Sequence, residues 1–461
     1  MIITCIYIFI LSIVILSFIN LKLSVAFYIS CLILVPYLQI RFAGFTISYN
    51  TVTTLLIVVF LYQSIINKKF RLNFQVIIPF LFLFFSLLFL SLLTWGMPWG
   101  TQFNYWRVDV MQTCIISFII WNIALAEPKS LSYFKWALII SVTIAGIYGI
   151  FLLKMEGNNP YTSFLSTYYG ILDSADEYSH SETRLGFSTA SRIQSTMIHP
   201  MLWALVLCFS SIIFSIMYLK TKDKKLWILI GLIGFNILIS GVRTGIAAIT
   251  IGFIYFLIRY RKIKLIILTL VILATFTLVI QSDDSLSNLF ASITDVSGKN
   301  SEMSGSSIPA RLEQFQGTIN EINGHELTGK GYSWTSYYEL LHGTHPTIFS
   351  FESLIFMVLC NSGYIGALIW ILFFLLLYRL NRKILAIKID IFLMDTFIIV
   401  FAVYAIGTGN YGYLSFFAIL YSFLLAYLLK AQKSEKQQHT IRIDKNKTFM
   451  TNKKLLISKN E

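Results

Sequence analysis

The chain has 461 residues, 56% of them hydrophobic and 13% charged, with a mean hydropathy of +0.72 and a formal net charge of +14. Soluble domains carry about 25% charged residues, so the composition excludes a soluble globular protein. The apolar runs do not alternate, which excludes the strands of an outer-membrane barrel, and only helices then satisfy the backbone in lipid.

In chain order, apolar runs near residues 2–19, 22–40, 51–66, 75–94, 108–126, 134–153, 199–219, 226–240, 245–258, 263–281, 353–378, 391–407 and 411–429 predict an all-α, polytopic transmembrane helical bundle of 12–13 spans. The lower count applies if residues 1–50 hold a tilted or re-entrant segment. The first run lacks a basic leader and a small-residue cleavage site, so it reads as a retained span. The five cysteines (Cys5, Cys31, Cys114, Cys208, Cys360) all lie in apolar segments, without CxxC or metal-ligand spacing.

Orientation follows the Lys/Arg bias of the loops. The basic loops at 67–71, 220–225, 259–264 and 379–383 fall on one side with the tail from Lys430, and that side is expected to be the cytoplasm. Two long loops, 154–198 and 282–351, are then outside. The domain reading is a bundle over 1–429 and a basic cytoplasmic tail, 430–461, too poor in apolar residues to build a core and expected to be disordered. The cytoplasmic side holds 27 Lys/Arg against 7 Asp/Glu, and the outer side 9 against 15. The positive balance therefore reports topology and gives no support to nucleic-acid binding. Six of the outer cations are arginines: Arg41, Arg107, Arg184, Arg192, Arg243 and Arg311. Arginine is preferred where a planar fork must grip phosphate or carboxylate.

The first outer loop carries an aromatic stretch and an acidic patch, DSADEYSHSE (173–182), and closes with Arg192 shortly before a span. Arg192 reads either as an anchor snorkelling to headgroups or as an anion ligand. His199, before Pro200, reads as a helix-start residue. Arg243 stands in SGVRTG (240–245) between two short apolar runs, where a cation at membrane depth is a functional hypothesis by default and a hairpin-tip arginine is the plainer alternative.

The second outer loop begins with a Ser-rich stretch, 282–307. The segment PARLEQFQGTINEIN (309–323) then reads as a short amphipathic helix with Leu312, Phe315, Ile319 and Ile322 on one stripe and Arg311 at its border. In the segment that follows, 324–346, Gly329 and Gly331 allow close backbone approach. Tyr332, Trp334 and Tyr337 offer flat faces suited to sugar rings, or else to an interfacial belt. His342 and His345 lie three apart with no third ligand evident, so no metal site is expected.

Taken as an ordered set over residues 184–370, these pieces resemble the bacterial O-antigen ligase and O-antigen polymerase superfamily. The matching features are an arginine at a hairpin tip after a short span (Arg243), an arginine opening the helix of the large loop (Arg311), a Gly-x-Gly turn (329–331), a His-containing stretch, and a span with Gly363 and Gly366. The family's His-Asn pair falls about eleven residues before the first of those glycines. Here Glu352 stands at that distance and His345 eighteen before, so the histidine's role falls to His345 or to Glu352.

The resemblance implies a metal-independent membrane glycosyltransferase without a cofactor, in the bacterial inner membrane. Its substrate would be an undecaprenyl-diphosphate-linked oligosaccharide, with a chain-length regulator and a flippase as candidate partners. The expected reaction joins oligosaccharide units of a surface polysaccharide, such as O-antigen or capsule, outside the cytoplasmic membrane. Transfer to a lipid or protein acceptor by a ligase is the first alternative, and a flippase or transporter the second. The leaving group needs charge stabilisation, assigned to Arg243 and Arg311 with Arg192 as a third candidate. The acceptor hydroxyl needs a base, assigned to His345, Glu352 or His342.

Overall fold

The computed structural model describes residues 2–35, 39–42, 45–155, 159–169, 193–197, 199–261, 308–409 and 412–457. The expected span at 263–281, the Ser-rich stretch and Arg192 lie outside the described residues.

The chain begins with α1 (Ile2–Ile19) and α2 (Leu21–Leu34), followed by a two-stranded antiparallel hairpin, β1 (Gln39–Phe42) and β2 (Phe45–Ser48). The span expected over 22–40 is thus shortened, because its last residues pair as a strand. Next come α3 (Tyr49–Ile65), α4 (Ile78–Ser91), α5 (Trp99–Ala126, with a π turn at Met111–Ile115), α6 (Ser130–Leu153) and α7 (Pro160–Tyr169). Helices α8 (Pro200–Thr221), α9 (Lys225–Ile239) and α10 (Arg243–Arg259) precede the large loop. That loop contributes α11 (Ile308–Glu321) and α12 (Trp334–His342), and the chain closes with α13 (Leu354–Ile384), α14 (Lys388–Thr408) and α15 (Gly412–Ile457).

Among the described residues, six helices have the length and hydropathy to cross a membrane: α5, α6, α8, α13, α14 and the Tyr413–Glu435 part of α15. Thr4–Ile19, α2, α3, α4 and α9 are shorter apolar helices. The protein is a multi-pass, all-helical membrane protein, with the hairpin as its exception among the described residues.

Small residues set the closest helix approaches, as expected where lipid removes the hydrophobic drive for association. A Cβ on Gly252 of α10 would strike the Val400 side chain of α14, and one on Gly245 would lie 3.4 Å from Ala204 of α8. Aromatic rings fill the centre: Phe209 stacks on Phe397 at 4.5 Å and Phe401 on Phe417 at 4.3 Å.

The basic loops gather at one end of the bundle. There Lys22 pairs with Glu127 at 2.7 Å, and Lys430 donates to the Pro128 carbonyl at 2.8 Å. Fully buried Asp390 accepts from Lys220 at 3.2 Å and from Gln432 at 2.8 Å, and fully buried Asp395 pairs with Arg382 at 3.0 Å. Helix α15 does not stop where the apolar sequence ends. It continues to Ile457, so the tail is helical over most of the stretch expected to be disordered. Lys, Gln and Glu are good helix formers, and extending an existing helix avoids the cost of nucleation.

Gln432 makes the boundary of the dispensable tail testable. Truncation after Glu435 should leave membrane levels and activity intact. Truncation before Gln432 removes a hydrogen-bond partner of a buried carboxylate, a change that typically costs about 1–3 kcal/mol, and should reduce protein in the membrane fraction. Equal levels for both truncations, by immunoblot, would count against this.

Candidate functional site

At the opposite end, the large loop is locked onto the bundle through glycines. Helix α13 is interrupted at Gly363, which has φ +61° and ψ −160°. Into the break docks the segment 326–331. Lys330 N–H donates to the Cys360 carbonyl at 2.8 Å and Gly331 N–H to the Asn361 carbonyl at 3.0 Å. In return, Tyr364 N–H donates to the Glu326 carbonyl at 2.8 Å and Ile365 N–H to the Leu327 carbonyl at 3.1 Å. A Cβ on Gly363 would lie 2.5 Å from the Glu326 carbonyl oxygen, and one on Gly329 (φ +67°) would strike the Ser362 backbone nitrogen. The Gly-x-Gly turn and the Gly-x-x-Gly span are therefore two halves of one joint. A second anchor comes from α5: Gln102 accepts from Tyr332 N–H at 2.8 Å, and Asp109 accepts from the Tyr332 hydroxyl at 2.8 Å.

Helix α11 lies across this joint, held at both ends. At its C-terminal end, Glu321 pairs with Lys330 and with His345 Nε2, the latter at 3.2 Å. Burial by itself would raise the Glu321 carboxyl, but Lys330 and His345 outweigh it and hold the group below its ordinary range. Near the N-terminal end, Arg311 Nη1 donates to the Glu352 carbonyl at 2.8 Å and to Gln314 Oε1 at 3.1 Å. Its Nη2 donates to Glu352 Oε2 at 3.1 Å and to the Gly407 carbonyl at 3.2 Å. Burial lowers the Arg311 pKa, with Glu352 pulling the other way. This guanidinium is partly stripped of water and needs an anion.

Gly407 also ties Arg311 to the Arg243 turn. A Cβ at Gly407 would strike Thr244, the residue after Arg243, which itself opens α10 half-buried. The same corner holds the start of α13, where the Ser353 hydroxyl donates to the Ile406 carbonyl at 2.8 Å. Arg243, Arg311 and Glu352, more than a hundred residues apart from first to last, thus converge where α10, α11, α13 and α14 meet.

The other residues expected at the site lie in varied surroundings. His345 is buried, its Nδ1 accepts from the Thr347 N–H at 3.2 Å and the Ile348 N–H at 3.1 Å, and its Nε2 faces Glu321. With Nδ1 accepting, Nε2 carries the proton and donates, so neither nitrogen presents a lone pair to a substrate. His342 is exposed at the end of α12, packed on Tyr338 at 4.9 Å and away from the arginines in sequence and contact. Tyr332 is 3% exposed and Trp334 6%, with Lys330 Nζ 4.6 Å above the Trp334 ring, so both rings are packed in the core. Tyr337 is half-buried on α12.

The apolar stripe of α11 is split: Ile322 is fully buried and Ile319 packs against the same core, while its N-terminal half faces outward. Leu312 and Phe315 are 64% and 41% exposed, whereas Gln314 and Thr318 are buried on the Arg311 face. Other arginines are less engaged: Arg107 is exposed and donates to Asn104 at 2.9 Å.

Residues 228–371 match the family model described as O-antigen ligase (Wzy_C). Over this stretch the chain is similar to the O-antigen ligase family, the matched domain covering just under a third of its length. This domain runs from within α9 into α13 and contains Arg243, Arg311, Glu352, the Lys330–Glu321–His345 cluster and the Gly329–Gly363 joint. The family is of O-antigen ligase and polymerase type, active in surface polysaccharide biosynthesis, with glycosyltransferase-type activity. A comparison with curated proteins finds no match.

Sequence reasoning missed Glu321, Lys330, Gln102, Asp109 and Glu339. A signal existed for Asp109, a lone acid entering an apolar run, which is a functional flag in a membrane protein. Glu339 on α12 is half-buried, and burial pushes its carboxyl up from the usual 4.5 to about 7. A carboxyl raised in the folded state contributes stability that is complete below its unfolded pKa and lost as pH rises through the folded value. The melting temperature in detergent should therefore fall between about pH 5 and pH 8, and Glu339→Gln should flatten that fall. The same slope in both proteins would contradict this account.

Proposed function

We propose that the protein is a surface-polysaccharide polymerase of the cytoplasmic membrane that joins undecaprenyl-diphosphate-linked oligosaccharide units on the outer side. The observation that supports this most is the convergence of Arg243, Arg311 and Glu352 at one corner of the family domain. A glycan diphosphate departs with two or more negative charges, and preorganised guanidinium forks stabilise that charge in the transition state. The acceptor hydroxyl attacks the anomeric carbon, the diphosphate leaves with the bonding electrons, and Glu352 is the carboxylate placed to take the proton.

Sidedness follows from the loop charges: the site lies at the end opposite Lys22, Lys220, Arg382 and Lys430, the positive-inside end. An apolar groove of about 540 Å³, lined by Phe9, Leu34, Ile144, Tyr148 and Thr196 among others, stands at the same end as the site. One segment joins it to the Arg243 hairpin, since Ile193 N–H donates to the Ile239 carbonyl at 3.3 Å. The groove suits the isoprenoid tail of such a donor.

The family description favours a second reading, a ligase that hands finished glycan to an acceptor. A deletion strain separates the two. Surface glycan reduced to a single repeat on its anchor supports a polymerase, whereas full-length polymer left on its lipid carrier supports the ligase. Unchanged surface glycan would contradict both.

A further inference from the structure

The Arg311–Glu352 pair has a geometry that a simple structural salt bridge does not require. Of the four acceptors around the guanidinium, three are neutral: the Glu352 carbonyl, Gln314 Oε1 and the Gly407 carbonyl. Among the described residues, only Glu352 Oε2, at 3.1 Å, brings charge. The neutral contacts fix where the fork points, and the carboxylate alone neutralises it. Both side chains keep an open edge, at 25% and 28% exposure.

The backbone on either side of Glu352 is pinned. Phe351 sits at φ +48° and Phe349 at φ +55°, a region that aromatic residues rarely adopt. The Phe351 ring is buried against Trp334 and His345, at centroid distances of 6.0 and 5.6 Å. His345 and Phe349 exchange backbone hydrogen bonds of 2.9 and 3.0 Å, closing the loop beneath them. On the other side, Ser353 caps α13 by accepting from Ile355 N–H at 3.2 Å and reaches the Ile406 carbonyl. The Glu352 carbonyl stays bonded to Arg311 whatever the carboxylate does. The one part free to move without breaking the loop is the Glu352 side chain.

We infer that the Glu352 carboxylate and the donor diphosphate compete for the Arg311 fork, so that donor binding releases Glu352 to act as the base and the reaction runs donor first. The inference rests on the diphosphate reading of Arg311 given above. A diphosphate carries more charge than one carboxylate and matches the fork, so it displaces Glu352 while the three neutral contacts keep the guanidinium aimed. The freed carboxylate remains tethered at the edge of the site. There it accepts the proton of the acceptor hydroxyl as that oxygen bonds to the anomeric carbon and the anomeric carbon–oxygen bond breaks, its electron pair leaving with the diphosphate. Before the donor binds, Arg311 partners the Glu352 charge, and after the exchange the carboxylate is available for the acceptor proton.

The test uses the full-length protein in lipid nanodiscs, inorganic pyrophosphate as the binding probe, and turnover of the lipid-linked repeat unit as the second readout. Removing an internal competitor raises apparent affinity by the factor that the competitor had withheld. Glu352→Gln should therefore bind pyrophosphate about tenfold or more tightly than wild type while turnover falls by about 100-fold or more, and Glu352→Ala should do the same. A purely structural pair predicts the opposite, weaker binding, because its loss would disorder Arg311. Unchanged or weaker binding in both Glu352 variants overturns the exchange. Arg311→Ala distinguishes the two levels of failure. If it loses pyrophosphate binding while the Glu352 variants fail to tighten, the exchange alone is wrong, and if it binds like wild type, the diphosphate reading falls and the exchange with it.

Discussion

Arg311→Ala should abolish polymer at unchanged membrane levels, and Arg243→Lys should remain strongly impaired. Arg311 is half-buried and donates to four acceptors that tie α11 to α13 and α14. Truncating it removes the fork and leaves Glu352 without its ion-pair partner. Loss of a hydrogen-bonded charge in a poorly hydrated site typically costs about 2–5 kcal/mol, which is about 30-fold or more in rate or affinity. The alanine variant combines that loss with a loosened corner, so its effect should be the larger. At Arg243, lysine keeps the positive charge at the start of α10 but loses the planar fork, and a point charge does not substitute for bidentate recognition of phosphate. A headgroup anchor would tolerate lysine. Polymer length and amount in cells with matched protein levels decide between these outcomes, and normal polymer from both variants would remove the diphosphate role from this corner.

The second large effect is expected at the glycine joint. Gly329→Ala and Gly363→Ala should leave the protein inserted but undock the large loop, with near-complete loss of activity and new protease sensitivity within 324–346. Both positions have positive φ, which costs an L-residue about 1–2 kcal/mol. The larger penalty is steric, since each added Cβ would meet backbone atoms of the other half of the joint, and backbone atoms cannot rotate out of the way. Gly324 is the control. It also has positive φ (+80°), but nothing lies within 4 Å of a Cβ placed there. Gly324→Ala should thus show only the modest conformational cost. Limited proteolysis of membrane fractions compares the three, and similar protection for Gly324→Ala and Gly329→Ala would mean that the joint is not what holds the loop.

Much of this architecture is legible in the sequence, because the bilayer imposes long apolar runs and segregates lysine. The helices observed at Ser130–Leu153, Pro200–Thr221 and Lys388–Thr408 fall where hydropathy alone puts them. His199 is also as expected, capping α8 by accepting from Met201 N–H at 3.1 Å. Hydropathy does not distinguish lipid from protein interior. For that reason the α11 stripe does not reveal that Leu312 and Phe315 face outward while Ile319 and Ile322 pack inward, nor that Gln314 and Thr318 are buried beside Arg311.

Gly329 and Gly363 each signal close backbone approach, but no local pattern says that they approach each other. His345 shows a further limit. Its two backbone donors and Glu321, 24 positions earlier, come into view only in the fold. The resemblance placed Glu352 at the spacing of the family's histidine, and its pairing with Arg311 depends on long-range packing that no spacing rule carries. Asp109 and Gln102, which secure the loop through Tyr332, lie some 220 to 230 residues away from it in the chain.

The measurement that tests the central claim most directly is a reaction of the purified protein in nanodiscs with an undecaprenyl-diphosphate-linked repeat unit, following both glycan length and free undecaprenyl diphosphate. The wild-type protein should lengthen the glycan and release one undecaprenyl diphosphate for each unit joined, and Arg311→Ala should do neither. Lengthening that proceeds equally with Arg311→Ala, or the absence of any carrier release by folded wild-type protein, would contradict a diphosphate-leaving glycosyl transfer at this site.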